Sequence, residues 1–295
     1  MKPLQNSVLI FFFIISCQAQ ETNIIADGAE VTLVAADYSF TEGPAVDKDG
    51  NVYFTDQPNN KILKWSLDGT VSVFMENAGR ANGLYVDHEG RLLVCADEKN
   101  QLWRINSDKS ITVLIDDFKG KKLNGPNDLW VDTKGGIYFT DPYYQRDYWT
   151  RTEGELEKND VYYLDSNSKE LSIVATNFVR PNGIIGSADG KTLFITDIGD
   201  SKTYTYTINK DNSLTNKTLF TAMGSDGMTL DSQGNLYLTG KGVTVFNKNG
   251  TQIAHIPIEQ NWTANVTFGG KDQKTLFITA LNSLYTLQMN VKGIR

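Results

Sequence analysis

Six oxygen-bearing side chains recur along this chain: Glu42, Asn82, Asn127, Asn182, Asp226 and Asn265, separated by 40, 45, 55, 44 and 39 residues. Oxygen donors that include two carboxylates suit a hard cation, Ca²⁺ or Mg²⁺, better than a softer metal that wants His or Cys. His88 and His255 are the only histidines, so a histidine-rich zinc site is excluded. No G-x-S-x-G sequence is present either, which argues against a serine nucleophile. The competing account of the six positions is conformational. Asn-Gly and Asp-Gly are turn formers, which could explain Asn82-Gly83, Asn182-Gly183 and Asp226-Gly227. It does not explain Glu42, a poor turn residue followed by Gly43-Pro44, or Asn127-Asp128 after Pro126. Those two positions are assigned to function, and Asn265 to conformation.

The elements that must hold these side chains are written in a repeat. EGPAVDKDGNVYFTD (42–56), NGLYVDHEGRLLVCAD (82–97), NDLWVDTKGGIYFTD (127–141), NGIIGSADGKTLFITD (182–197), DGMTLDSQGNLYLTG (226–240) and NVTFGGKDQKTLFITA (265–280) share one pattern. Asp47, Asp87, Asp132 and Asp231 each fall five residues after the opening residue. A repeat of this period is the mark of a propeller or solenoid. Within the first repeat we read strands at Gly43–Val46, Val52–Thr55, Ile62–Ser66 and Val71–Met75, with turns at Asp49-Gly50, Asn59-Asn60 and Asp68-Gly69. No helical pattern competes. The expected fold is all-β, a six-bladed propeller with four-stranded blades. The last repeat supplies only Val266–Gly269, Leu276–Thr279 and Leu284–Gln288, and Glu30–Val34 is a strand without a partner in the first repeat. Placing it as the outer strand of the last blade closes the ring. Since the first strand of every blade lines the axis, the six polar residues should face one another there.

Ahead of the propeller, residues 1–20 read as an export signal: Lys2, an apolar run from Val8 to Ile15 too short to span a bilayer, then Ser16-Cys17. The small residue before Cys17 resembles a bacterial lipobox, although Ile14 stands where Leu is more usual. Cutting at Cys17-Gln18-Ala19 by the ordinary signal peptidase is the alternative. The expectation is a periplasmic protein, lipid-anchored through Cys17, with residues 21–295 forming one domain. Cys95 is read as a small core residue, and His88 and His255 as structural. The net charge of −7 argues against a nucleic-acid partner, and membrane association is expected only through the lipid. One connection, PYYQRDYWTRTEGELEKND (142–160), is longer than its counterparts. Its Tyr143, Tyr144, Tyr148 and Trp149 suggest a substrate-facing lid.

FTEGPAVDKDGNVYFTD, LNGPNDLWVDTKGGIYFTDP, RPNGI and SDGM, in that order over essentially the whole mature chain, resemble the senescence marker protein / gluconolactonase / luciferin-regenerating family, which includes regucalcin. The resemblance implies a six-bladed propeller that hydrolyses sugar or other lactones with one divalent metal at the channel mouth. Ca²⁺ is the first expectation, with Mg²⁺, Mn²⁺ or Zn²⁺ as alternatives. The family's metal ligands fall on Glu42, Asn182 and Asp226. Its substrate-side residues fall on Asn127 and Asp128, with Asn127 also close to the metal. Asn82 and Lys122 complete the expected substrate-binding set. Where the family often has an arginine just before the Asn127 motif, this chain has Lys121 and Lys122, and lysine cannot copy a bidentate guanidinium. A carboxylate must take the proton of the attacking water. Asp226 is the family's usual candidate, and Asp128, beside the metal, is its rival. Two other classes stay open: a hydrolase of aryl esters or phosphotriesters on the same metal chemistry, and a non-catalytic sugar-binding propeller.

Overall fold

The computed structural model describes residues 23–294. The expected export segment and Cys17 lie outside the described residues. Six four-stranded antiparallel sheets succeed one another along the chain. The first comprises Thr41–Val46, Val52–Asp56, Lys61–Trp65 and Val71–Glu76, within two residues of the sequence reading at each end. In the sixth, Asn265–Gly269, Thr275–Ala280 and Ser283–Gln288 are completed by Thr32–Ala35 from the beginning of the propeller, paired to Ser283–Gln288. The ring therefore closes as expected. Among the described residues there is no α-helix, only a 3₁₀ turn at Asp97–Lys99.

A blade stacks on a neighbour through each face, so its middle strands are buried on both sides and read as near-continuous apolar runs. Leu92–Ala96, Ile137–Asp141 and Leu236–Gly240 are buried at every residue. The outermost strands face water, as at Leu214–Thr221. The core is accordingly divided among the six blade interfaces, one apolar cluster to each. Cys95 is fully buried in the cluster between blades 2 and 3, and burial pushes its thiol pKa well up, which makes it inert. The four recurring aspartates organise the turn after the inner strands of blades 1, 2, 3 and 5. Asp47 Oδ1, for example, accepts from the backbone N–H of Asp49 and of Asn51, both at 2.9 Å. His88 and His255 are also structural, contacting the Asp132 carbonyl and the Thr244 hydroxyl at 3.1 Å.

Candidate active site

The inner strands deliver their polar residues at the end opposite these turns. Strands Thr41–Val46, Ala81–Val86 and Pro181–Gly186 each carry a register shift just after or across the site residue, between Glu42 and Ala45, Ala81 and Leu84, and Pro181 and Ile184. In blades 3 and 5 the ladder begins only at Leu129 and Met228, after Asn127-Asp128 and Asp226-Gly227. Bulges and late starts of this kind re-aim side chains out of the pleat.

The glycine that follows Glu42, Asn82, Asn182 and Asp226 has a reason other than a turn. A Cβ on Gly43 would lie 2.0 Å from the Asn82 carbonyl oxygen. One on Gly83 would lie 2.5 Å from the Asn127 oxygen and 2.8 Å from Asp128 Oδ1, and one on Gly227 would overlap the Asn265 side chain. The residues sit in or at the head of strands, and glycine lets adjacent inner strands touch at the axis. The turn-former account of these dipeptides is thereby replaced. Threonine hydroxyls on the second strands of blades 1 and 3 tie neighbouring blades together at this level, whereas blade 2 has Ala96 at that position: Thr55 donates to the Asn82 carbonyl at 3.2 Å and Thr140 to the Asn182 carbonyl at 2.7 Å.

Three carboxylates meet at the axis. Glu42 is 3% exposed; its Oε2 accepts from Asn265 Nδ2 at 3.0 Å and from the Gly43 N–H. Burial and then the charge of Asp226 raise its pKa well above the ordinary carboxylate range. Asp226 accepts from Asn182 Nδ2 and Trp262 Nε1, each at 2.8 Å; burial still pushes it up to about 6. Among the described residues Asp128 has only backbone donors, Leu129 at 2.9 Å and Ile184 at 3.4 Å, and burial pushes it to about 7. Asn265 is spent within the protein, since its Oδ1 also accepts from the Val266 N–H at 2.8 Å. Asn127 and Asn82 are buried, with no side-chain hydrogen bond among the described residues. Lys122 is exposed, and its backbone N–H donates to Glu155 at 2.8 Å; no contact of its side chain reaches the carboxylates among the described residues.

The long connection crosses the mouth from blade 2 to blade 4. Asp97 anchors it. The corresponding aspartates Asp56, Asp141 and Asp197 accept from backbone N–H groups of the segment entering their own blade. Asp97 instead takes Arg146 Nε at 2.8 Å and the Tyr148 hydroxyl, while Trp149 Nε1 donates to the Glu98 carbonyl at 3.1 Å. Arg151 donates to the Leu123 and Asn124 carbonyls and stacks 4.0 Å from the Trp149 ring. Tyr148 and Trp149 therefore hold the loop down. Tyr144 is the aromatic that reaches the ring, its hydroxyl accepting from Asn182 Nδ2 at 3.0 Å. Sequence reasoning did not single out Asp97, Arg146, Arg180 or Trp262. The one available signal was Asp97, conspicuous as the partner of an atypical repeat that carries Ala96 where others carry Thr.

Among the described residues no group of three or more His, Cys, Asp and Glu side chains forms a metal cluster. A cation here must therefore share amide oxygens with the carboxylates. The residues present fit that demand. Asn182 uses its amide nitrogen on Tyr144 and Asp226, which leaves its oxygen to ligate, and Glu42 lies close enough to Asp226 for that carboxylate's charge to raise its pKa. Beneath the ring, a cavity of about 170 Å³ is lined by Asp128 and Asn265 together with apolar residues such as Leu84, Trp130, Ile184 and Met228.

A gluconolactonase of Zymomonas mobilis is 28% identical over 89% of this chain and 82% of its own length. The lactonase drp35 of Staphylococcus haemolyticus is 28% identical over 73% and 68%. The solved gluconolactonase of Xanthomonas campestris superposes with a TM-score of 0.84 at 29% identity, covering 90% of this chain and 91% of its own. A calcium-binding regucalcin of Agrobacterium tumefaciens shares the fold, with a TM-score of 0.75 at 17% identity over 88% and 94%. The model of the SMP-30/Gluconolactonase/LRE-like region matches residues 40–282. With most of the propeller inside that match, the chain belongs to the SMP-30/gluconolactonase/LRE-like family.

Proposed function

We propose that the protein is a lactonase that opens sugar lactones with the help of one divalent cation. The observation that carries this reading is the gathering of Glu42, Asp128 and Asp226 about the axis, close enough to act on one another's charge and two of them with pKa values near neutrality, in a chain whose relatives are lactonases. Glu42, Asn182, Asp226 and Asn127 would hold the cation, Ca²⁺ first by the all-oxygen donor set. When bound, it supplies Lewis-acid polarisation of the lactone carbonyl.

Asp128 is the general base. Its pKa of about 7 matches the task, and among the described residues no side chain occupies its oxygens, whereas both Asp226 oxygens already accept hydrogen bonds. Asp128 removes a proton from water as the water oxygen bonds to the carbonyl carbon. The bond from that carbon to the ring oxygen then breaks, and the proton passes to the departing oxygen to leave a hydroxy acid. Asn127 and Asn82 offer amides to the sugar hydroxyls. The apolar run before Cys17 further supports export to the periplasm and a lipid anchor.

The test is acid release from D-glucono-1,5-lactone by protein lacking residues 1–20, after chelation and with Ca²⁺, Mg²⁺, Mn²⁺ or Zn²⁺ restored. Cation-dependent turnover above the spontaneous rate is expected. No turnover, together with hydrolysis of phenyl acetate or a phosphotriester, would replace the lactone by another ester; a cation bound with no hydrolysis at all would leave a sugar-binding propeller.

A further inference from the structure

Two guanidinium groups at the mouth present donors that the protein leaves unused. Arg146 gives Nε–H to Asp97, and its side chain keeps 22% of its surface accessible. Its remaining N–H groups bond to nothing among the described residues. Arg180, in the segment entering blade 4, is exposed and its guanidinium has no carboxylate partner among the described residues; its backbone N–H donates to Asp197 at 2.8 Å and its carbonyl accepts from the Ile198 N–H at 3.1 Å. The two guanidinium carbons lie 5.2 and 4.8 Å from the centroid of the Tyr144 ring. The hydroxyl of that ring touches Asn182, so both arginines stand one side chain away from the reacting centre. Arg146 is also near enough to Asp226 to draw its pKa down.

Loop anchoring does not require Arg180. That work is done by Arg151 on the Leu123 and Asn124 carbonyls and by Arg146 and Tyr148 on Asp97. A guanidinium laid on a tyrosine with its planar fork open is the arrangement that receives a carboxylate or phosphate in bidentate fashion. Arg146 shares its charge with Asp97, whereas Arg180 has no acidic side-chain partner among the described residues.

We propose that the substrate is a sugar lactone bearing an anionic group, carboxylate or phosphate, away from its ring carbonyl, received by Arg180 and Arg146 beside Tyr144. This rests on the lactonase reading above and specifies its substrate class.

The experiment compares kcat/KM of the cation-loaded protein for D-glucono-1,5-lactone, D-glucaro-1,4-lactone and 6-phospho-D-glucono-1,5-lactone. At least one charged lactone is preferred by about tenfold or more, the worth of one charge-assisted hydrogen bond, and the preference resides in KM. The two charged substrates distinguish carboxylate from phosphate. In Arg180→Gln the charged-to-neutral ratio falls about tenfold, and Arg180→Lys restores part of it. A neutral lactone used as well as both charged ones overturns the proposal and leaves the lactonase reading standing. Calorimetric titration of D-glucose, D-glucuronate and D-glucose 6-phosphate gives a second readout that needs no turnover. Tighter binding of a charged sugar, lost in Arg180→Gln, sustains the anion site even if no lactone reacts, and equal binding of all three removes it.

Discussion

Replacing Asp128 by Asn should make the metal-free protein more stable while it stops turnover. Burial raises the Asp128 pKa from 3.8 to about 7. An acid whose folded pKa exceeds its unfolded value stabilises the fold fully below the unfolded pKa and loses that contribution as pH rises through the folded one. At pH 8 the fold carries the whole cost of an ionised, buried carboxylate. At 1.36 kcal/mol per unit, a shift from 3.8 to about 7 corresponds to roughly 4 kcal/mol. Solvent entering by the mouth screens part of it, so about 2 kcal/mol is a realistic gain for the neutral amide. In a protein of this size that corresponds to a rise in Tm of roughly 5 °C. Thermal unfolding in chelator at pH 8, 6 and 4 should show the gain largest at pH 8, smaller at 6 and close to zero at 4. Loss of the base should lower kcat by about 10² or more, and cation affinity should persist because Asp128 is not among the proposed ligands. Equal pH dependence of Tm in wild type and variant would refute the buried-carboxylate argument, and retained kcat would return the base to Asp226.

Glu42→Gln should abolish cation binding and turnover with an unchanged β-rich circular dichroism spectrum; calorimetric titration with Ca²⁺ reads the first directly. Gly83→Ala should destabilise by about 1–3 kcal/mol, because its Cβ meets the Asn127 and Asp128 backbone at 2.5 and 2.8 Å; denaturant unfolding measures it. Asp97→Ala should release Arg146 and Tyr148, raising KM and exposing the 142–158 connection to limited proteolysis, and an unchanged digestion pattern would disprove the anchor. Cys17→Ser should move the protein from the membrane to the soluble fraction, and continued sedimentation with membranes would remove the lipid anchor.

The repeat made the fold legible from the chain alone. Alternation, Asp-Gly turns and a leftover strand at Glu30–Val34 are local facts, and a propeller is assembled from local blades, so their count and the closing strand followed. The polar residue at the head of each inner strand was legible for the same reason. Its glycine was not: the sequence shows Asn-Gly, and only the packed ring shows that the neighbouring blade fills the place where a side chain would be. The loop contacts were hidden more deeply. Asp97 and Arg146 lie 49 residues apart, and Trp262 and Asp226 36 apart, joined across blades by the closure of the ring. The pKa values of Glu42, Asp128 and Asp226 belong to that same closure. A carboxylate acquires a raised pKa only when its neighbours remove water and bring other charges near, and no residue carries that information along its own stretch of chain.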